Sequence, residues 1–450
     1  MNDFSSLGLR ALAGVEKMRG KDRNVRNRLS ACLFLMRGSY YTGESKWRRL
    51  AEEDLRALYR SGVHDHIGGG FFASSDDGEW LRPAFAKRAG DNALLAFLYA
   101  EAFESGRMAF YRTAAEEALD WCLRELPTAS GLYASGVYAQ DDGAARRAFL
   151  LKPSQVTEVL GTEAGRPFAE CYDITEEGNC GGASIPNLLL NERWNLLPEG
   201  YDKLREALRA SRSGLSTDGT ISLSDNALLL AALAKAARVF QNERFLKAAG
   251  ALADTLFSIP ETASATPAGA AYLFALTELY GACLRQEILP EALRAAEALL
   301  PYGRRDERKG DALCDESDDR GLSFAALGFD ALFVLTEEER WRLARGSVLR
   351  ELCLHPERHG PGSLDGLCAL LSAGQETRLL VCVTPGDSAP DALLTLTERY
   401  SPDLRVLLRT PSGAGPLADA VPFTAEYPIA EKPLLYVRNG GKSGLPVPLG

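Results

Sequence analysis

Positive charge is in short supply in this chain. Lys and Arg number 51 against 61 Asp and Glu, a formal net charge of −10 with a pI near 5.2. No basic stripe offsets that balance, which argues against a nucleic acid or an anionic membrane surface as partner. Long apolar runs are missing too. Stretches such as Ala227 to Ala234 fall far short of the roughly 20 residues that a bilayer-crossing helix needs. The opening Met1-Asn2-Asp3-Phe4 carries neither the basic nor the apolar segment of a secretory leader.

Nine cysteines are scattered along the chain with no Cys-x-x-Cys pair. Most sit in apolar helical patterns, as Cys122 does after Trp121 and Cys283 before Leu284, where cysteine behaves as a small hydrophobe. That usage fits a reducing compartment, and the expected location is the cytoplasm. The sequence also lacks a Gly-x-x-x-x-Gly-Lys-Ser/Thr loop and a dinucleotide fingerprint, so nucleotide binding has no support. Histidine is rare, at four residues. His64-x-His66 offers only two metal ligands, and Asp315 to Asp319 lacks the glycine and closing glutamate of a calcium loop, so no metal and no cofactor are expected. His355 and His359 lie among Pro356 and Gly360-Pro361-Gly362, which leave no room for a regular helix.

What the chain has is helix after helix from about residue 24 to about residue 373. Asp91-Asn92-Ala93-Leu94-Leu95 recurs as Asp225-Asn226-Ala227-Leu228-Leu229, and the match continues through Ala100/Ala234, Ala114/Ala248 and Asp120/Asp254. Each copy reads as a helix, a short connection and a second helix opening on an aromatic, Tyr111 or Phe245. Looser copies follow over 270–300 and 321–354. Paired helices of this kind cannot bury their apolar faces alone, so they stack into a solenoid or close into a ring. The strong copies lie much further apart than the roughly 34 residues of a tetratricopeptide unit. Long irregular loops also intervene, over 62–90, 128–152 and 172–191. Both features favour a mainly α fold: an α/α barrel of about six hairpins over residues 1–374, with its loops gathered at one mouth. After about residue 375 the pattern changes to strand (378–383), helix (389–400) and strands (404–408, 433–438), a small α/β unit spanning 375–450.

The chemistry-bearing residues cluster in the loops. His64-Asp65-His66-Ile67-Gly68-Gly69-Gly70-Phe71 runs into Trp80-Leu81-Arg82-Pro83 and then into Asp91-Asn92. Carboxylates beside aromatic rings are the equipment of carbohydrate recognition, since acids move protons and ring faces stack on pyranoses. The candidates are Asp65, Asp91, Asp173, Glu176, Glu177 and Asp225, with Trp80, Tyr133, Tyr138 and Tyr172 as platforms. The competing reading makes Asp91 and Asp225 helix N-caps, His66 a loop-bonded structural histidine, and Thr175 to Asn179 a simple turn.

The ordered set His64–Phe71, Trp80–Pro83, Asp91–Leu95 and Tyr172-Asp173-Ile174-Thr175-Glu176-Glu177-Gly178-Asn179 resembles the large C-terminal region of the spermatogenesis-associated, thioredoxin-domain-containing family. The resemblance covers most of residues 25–450. It implies an α/α six-hairpin barrel similar to N-acylglucosamine 2-epimerases and six-hairpin glycosidases, with a short α/β tail. This sequence contains no counterpart of the family's thioredoxin-like domain, so redox activity does not carry over, and a separate thioredoxin-like chain becomes a conceivable partner.

The sequence also departs from the family pattern. Pro83-Ala84-Phe85-Ala86-Lys87 lacks the family's His and Glu, Phe72 and Asn187 replace histidines, and Arg438 and Ser443 stand in a tail that usually holds two cysteines. Asp65, His66, Asp91, Asn92 and Glu177 are retained. The combined expectation is a barrel that binds a carbohydrate-like small molecule with weak or lost catalysis. Asp91 and His66 would form its acid/base pair, and Asp65, Trp80, Asn92, Tyr133, Tyr172 and Glu177 would hold substrate. A working epimerase or glycosidase, and a protein-interaction scaffold, remain the alternatives.

Overall fold

A computed structural model describes residues 2–18, 22–139, 142–302, 320–354 and 364–449. His355, His359, Cys314 and the Asp315–Asp319 run lie outside the described residues. In chain order the helices are α1 (Asn2–Met18), α2 (Val25–Thr42), α3 (Ser45–Arg60), α4 (Ala89–Gly106), α5 (Ala109–Glu125), α6 (Asp142–Phe149), α7 (Pro153–Leu160), α8 (Thr162–Cys171), α9 (Tyr201–Ala210), α10 (Leu223–Phe240), α11 (Glu243–Phe257), α12 (Pro267–Cys283), α13 (Ile288–Leu299), α14 (Arg320–Thr336), α15 (Glu339–Leu354), α16 (Cys368–Ser372), α17 (Asp391–Thr397) and α18 (Ala414–Ala420). The strands are β1 (Ala86–Arg88), β2 (Gly136–Ala139), β3 (Leu215–Asp218), β4 (Arg378–Val383), β5 (Leu404–Arg409), β6 (Leu434–Asn439), β7 (Lys442–Ser443) and β8 (Val447–Pro448).

The fold is mainly α, and the helices close into a ring. Helices α2, α4, α10, α12, α14 and α16 each pack on the next, and α16 returns to α2. Sequence explains which helices face inward. α4, α10, α12 and α14 are apolar nearly all round and buried along most of their length, whereas α3 and α11 show one apolar stripe. A helix apolar on every side must be enclosed, and a striped one can cover it.

Five consecutive hairpins share one turn. The residue ending each inner helix is left-handed: Gly43 (φ 74°), Arg107 (53°), Gln241 (51°), Leu284 (54°) and Glu337 (57°). Gly43, Arg107, Leu284 and Glu337 each donate their N–H to the carbonyl four residues back, tying off the last turn of the inner helix. The sixth pair is made differently, from the two ends of the helical region. α1, outside the stretch that sequence pattern marks as helical, packs on α16 and α2 and buries Leu12 and Val15.

The loops do gather at one mouth, the N-terminal end of the inner helices. β1 directly precedes α4, β3 lies just before α10, and both pair antiparallel with β2 between them. The opposite end meets the C-terminal sheet, of order β5-β4-β6-β7, in which β4 and β5 run parallel. β7, β8 and α18 are additions to the strands and helix expected there. Tyr400 donates to Glu101 (2.9 Å), Arg107 to the Glu398 carbonyl and Gln241 to Glu398, so this segment seats on the C-terminal ends of α4 and α10. Beneath it Arg37 and Lys235 pair with Glu101, and Lys235 and Arg238 with Glu104. Among the described residues no helix is long and apolar enough to cross a membrane.

Candidate active site at the N-terminal opening of the ring

The first turns of α2, α4 and α10 and the turn leading into α16 come together near one guanidinium. Arg26 is the second residue of α2, and its Nε lies 3.3 Å from Asp91 Oδ1. Among the described residues neither atom has a hydrogen-bond partner of good alignment, although both are buried. Asp91 does not cap its helix. Arg88 holds the cap position without a side-chain bond, and Asp91 is the third residue of α4. Asp225 is likewise the third residue of α10, capped instead by the Ser222 hydroxyl. The N-cap reading of both aspartates is therefore corrected.

The two repeats meet at Gly90. A side chain there would collide with the Asp225 carboxylate and approach Arg26 Nη2 at 3.6 Å. The missing Cβ is what lets the second aspartate reach the first helix. Asp365, on the turn leading into α16, completes the group. It is buried, takes a hydrogen bond from Ser30 one turn beyond Arg26, and feels the Arg26 charge. Its Oδ1 accepts no hydrogen bond among the described residues.

Burial decides the protonation here. It raises the Asp91 carboxyl against the pull of Arg26 and Arg88, and pushes Asp365 up to about 6 despite Ser30 and Arg26. A carboxyl at that value exchanges its proton near neutrality, as a general acid or base must. Asp365 and Arg26 were not among the residues singled out by pattern. Nothing in Leu364-Asp365-Gly366 marks a site; only closure of the ring brings it to α2.

The triple-glycine loop is built around Asp65. Its Oδ1 accepts from the Ile67 and Gly68 N–H groups, Lys87 donates to Oδ2 at 2.6 Å, and Arg212 makes a two-pronged pair at 2.6 and 2.7 Å. Burial opposes ionisation, but Arg212 and Lys87 outweigh it and hold the carboxyl well below its ordinary range. Asp65 thus anchors the loop, with both carboxylate oxygens engaged by the chain itself.

Gly69 and Gly70 adopt φ of 75° and 74°. Gly70 lies against Trp121 and Asn92, and Asn92 accepts from the Phe71 N–H (2.6 Å) while donating to its carbonyl (2.9 Å). Asn92 therefore clamps the backbone of the loop, with its amide oxygen and nitrogen both engaged there.

His66 does not join Asp91. Its Nε2 meets the Ser61 carbonyl, and its ring lies against His64, Tyr59 and Tyr172. Burial, then the neighbouring His64, drives its pKa well below the ordinary value, leaving a neutral core imidazole. No partner of His66 is a partner of Asp91, so the expected acid/base pair is not assembled.

Of the expected platforms, Trp80 is buried, with φ 62° and Arg28 over its ring. Tyr172 is fully buried between Phe168 and Tyr201. Tyr133 is half-buried, its backbone held by Asn226. Tyr138 is 44% exposed on β2. Glu176 and Glu177 are exposed on a turn, and Asp173 bonds Asn187 and Asn179. Asp173 and Asn187 so support each other rather than the opening. No group of three or more metal-ligating side chains occurs among the described residues.

Compared with known proteins, the chain matches no family model. A stretch of 203 residues is 28% identical to a curated mouse protein, and a stretch of the same length is 29% identical to its human counterpart. The relative is spermatogenesis-associated protein 20. Each match takes in 41% of this chain and 25% of the relative, so the chain spans about a quarter of the curated proteins it resembles. Similar solved structures include cellobiose 2-epimerase from Spirochaeta thermophila (TM-score 0.49, 14% identity, 78% of this chain and 87% of that one). They also include D-mannose isomerase (TM-score 0.45, 12% identity, 74% and 75%) and a family 76 glycoside hydrolase from a Bacteroides thetaiotaomicron strain (TM-score 0.42, 12% identity, 76% and 54%).

Proposed function

We propose that the chain binds a carbohydrate-class small molecule at the N-terminal opening of the helical ring, in a reducing compartment, with Asp365 and Asp91 as its proton-handling groups. The helical region 1–374 forms the site, and residues 375–450 form a second unit that closes the far end. The observation that carries this reading is the buried Asp365 carboxyl, with an oxygen that accepts no hydrogen bond among the described residues, sharing Arg26 with Asp91. Buried acceptors left without donors are rare and call for one. A ligand dense in hydroxyls supplies both donors and acceptors at such a spot.

A two-histidine epimerase mechanism has less support. His64 and His66 are locked in the loop core, His64 by the Tyr59 carbonyl and Glu117. Acid/base work by a pair of carboxyl groups is the chemistry these residues favour.

The test is a thermal-shift screen of the full chain against mono- and disaccharides, repeated on Asp365→Asn and Asp91→Asn. A ligand at about 100 times its dissociation constant stabilises by roughly 2.7 kcal/mol. One or more sugars are expected to raise the melting temperature of the natural chain, and less so that of each variant. No shift with any sugar, or the same shift in all three proteins, would remove this assignment and leave the scaffold reading.

A further inference from the structure

A cavity of about 270 Å³ opens beside the triple-glycine loop, and its lining includes none of Arg26, Asp91 and Asp365. Gly68, Lys87, Trp121, Arg209, Arg212 and Thr217 line it, together with Glu125 and the β2 and β3 strands. Its inner wall carries a surplus of positive charge. Asp65 is one carboxylate facing two full cations, Lys87 and Arg212, whose side chains are 3% and 9% exposed. Among the described residues Arg209, at the rim, has one ion-pair contact, at 3.6 Å, with the largely exposed Glu206. Glu125, the remaining acid on the lining, is engaged by Arg124 at 2.8 Å.

Buried charge of one sign is costly unless it is matched. The environment of Lys87 registers that cost. Burial first, and then the adjacent Arg212, lower its ammonium to about 8 although Asp65 and, more weakly, Glu125 pull the other way. Aromatic faces absorb part of the excess, since Lys87 lies over Phe72, Trp121 and Phe149 and Arg212 over Phe149. None of these carries a negative charge.

We propose that this cavity is a second binding site, for a small molecule bearing a phosphate or carboxylate group. The oxyanion lies between Arg209 and Arg212, and the remainder of the molecule rests against Trp121 and Val137. Arg209 is suited to this because its planar fork meets an oxyanion with two parallel hydrogen bonds, whereas Arg212, whose two terminal nitrogens already grip Asp65, adds its charge from the inner wall. A volume of 270 Å³ exceeds what a bare ion needs and lies near the lower end of small-molecule pockets.

The experiment is calorimetric titration of the full chain with inorganic phosphate, acetate, glucose 6-phosphate and glucose at matched ionic strength, with thermal melts alongside. Saturable binding is expected for the anions and none for glucose at this site. Tighter binding of glucose 6-phosphate than of inorganic phosphate supports a ligand larger than a bare ion, and the reverse overturns the placing of its remainder against Trp121 and Val137.

Arg209→Ala and Thr217→Glu, both at the rim and clear of the Asp65 pairs, are expected to weaken anion binding at least fivefold while leaving the melting temperature in chloride unchanged. Asp365→Asn is expected to leave it intact, which separates this site from the opening. Absence of anion binding, or equal affinity in the two rim variants and the natural chain, overturns the proposal.

Discussion

Asn92 and Phe71 exchange a pair of hydrogen bonds that fastens the triple-glycine loop to the first turn of α4. Asn226 does the same to Tyr133 in the second repeat, accepting from its N–H at 2.8 Å and donating to its carbonyl at 2.9 Å. Each asparagine also bonds the carbonyl four residues back, on Arg88 and Ser222. The recurring Asp-Asn pair thus divides its labour: the aspartate reaches a neighbouring inner helix, Asp91 to Arg26 and Asp225 to Gly90, and the asparagine holds the preceding loop.

Removing either clamp strands buried backbone groups, each costing about 1–3 kcal/mol. Asn92→Ala and Asn226→Ala are each expected to lower stability by that order in urea unfolding. The double variant is expected to show a near-additive loss, because the two clamps share no partner. A loss below about 0.5 kcal/mol for both would contradict the clamp role.

Asp65 holds two buried cations. Asp65→Ala is expected to cost about 3–5 kcal/mol by leaving Lys87 and Arg212 uncompensated. Adding Lys87→Met is expected to return part of that loss. Because the Asp65 carboxyl lies well below its ordinary range in the folded chain, its contribution is present above the unfolded value of about 3.9 and fades as pH falls further. Unfolding curves of the natural, single and double variants test both statements.

Asp365 acts with the opposite sign. Its folded value of about 6 lies above an unfolded value of about 3.9, so the folded chain keeps a proton that the unfolded chain has already lost. Its contribution is therefore complete below about pH 4 and lost as pH rises through about 6, a swing of about 2–3 kcal/mol. Asp91, also raised by burial, acts in the same direction. Asp365→Asn is expected to become more stable relative to the natural chain between about pH 4.5 and about pH 7. A constant difference across that range would show that Asp365 titrates normally.

Gly70 and Gly78 offer a paired test of the loop. A Cβ on Gly70 would lie 2.9 Å from Trp121 Cγ and 3.0 Å from Asn92 Oδ1, at φ 74°, whereas one on Gly78 meets nothing. Gly70→Ala is expected to lower the melting temperature strongly, and Gly78→Ala to leave it within the small range of surface changes, about 0.5 kcal/mol. Equal effects would mean that the loop tolerates side chains at both places.

Much of the architecture was legible in the chain. Helix-period patterns placed α4, α5, α10 and α11, and the strand at 378–383 was read to the residue. The site was legible in part. Asp91 and Asp225 stood out because they recur, but the same recurrence read as capping, since an aspartate before an apolar run looks alike in both roles. The His64–Phe71 motif attracted attention through rare residues, yet its polar groups turn inward: His64 to Tyr59 and Glu117, Asp65 to Lys87 and Arg212, His66 to Ser61.

The sequence by itself determined which helices are enclosed and which cover them, because that follows from how apolar side chains are spaced over a few turns. It also marked the two loops that asparagine clamps, through a repeated dipeptide. Only the tertiary structure decided which acids share a guanidinium, since Arg26, Asp91, Asp225 and Asp365 come from four distant segments and meet because the ring closes between α16 and α2. It alone decided the protonation of Asp91 and Asp365 as well. A carboxyl titrates according to the water and charge around it, and those are set by neighbours that lie hundreds of residues away along the chain.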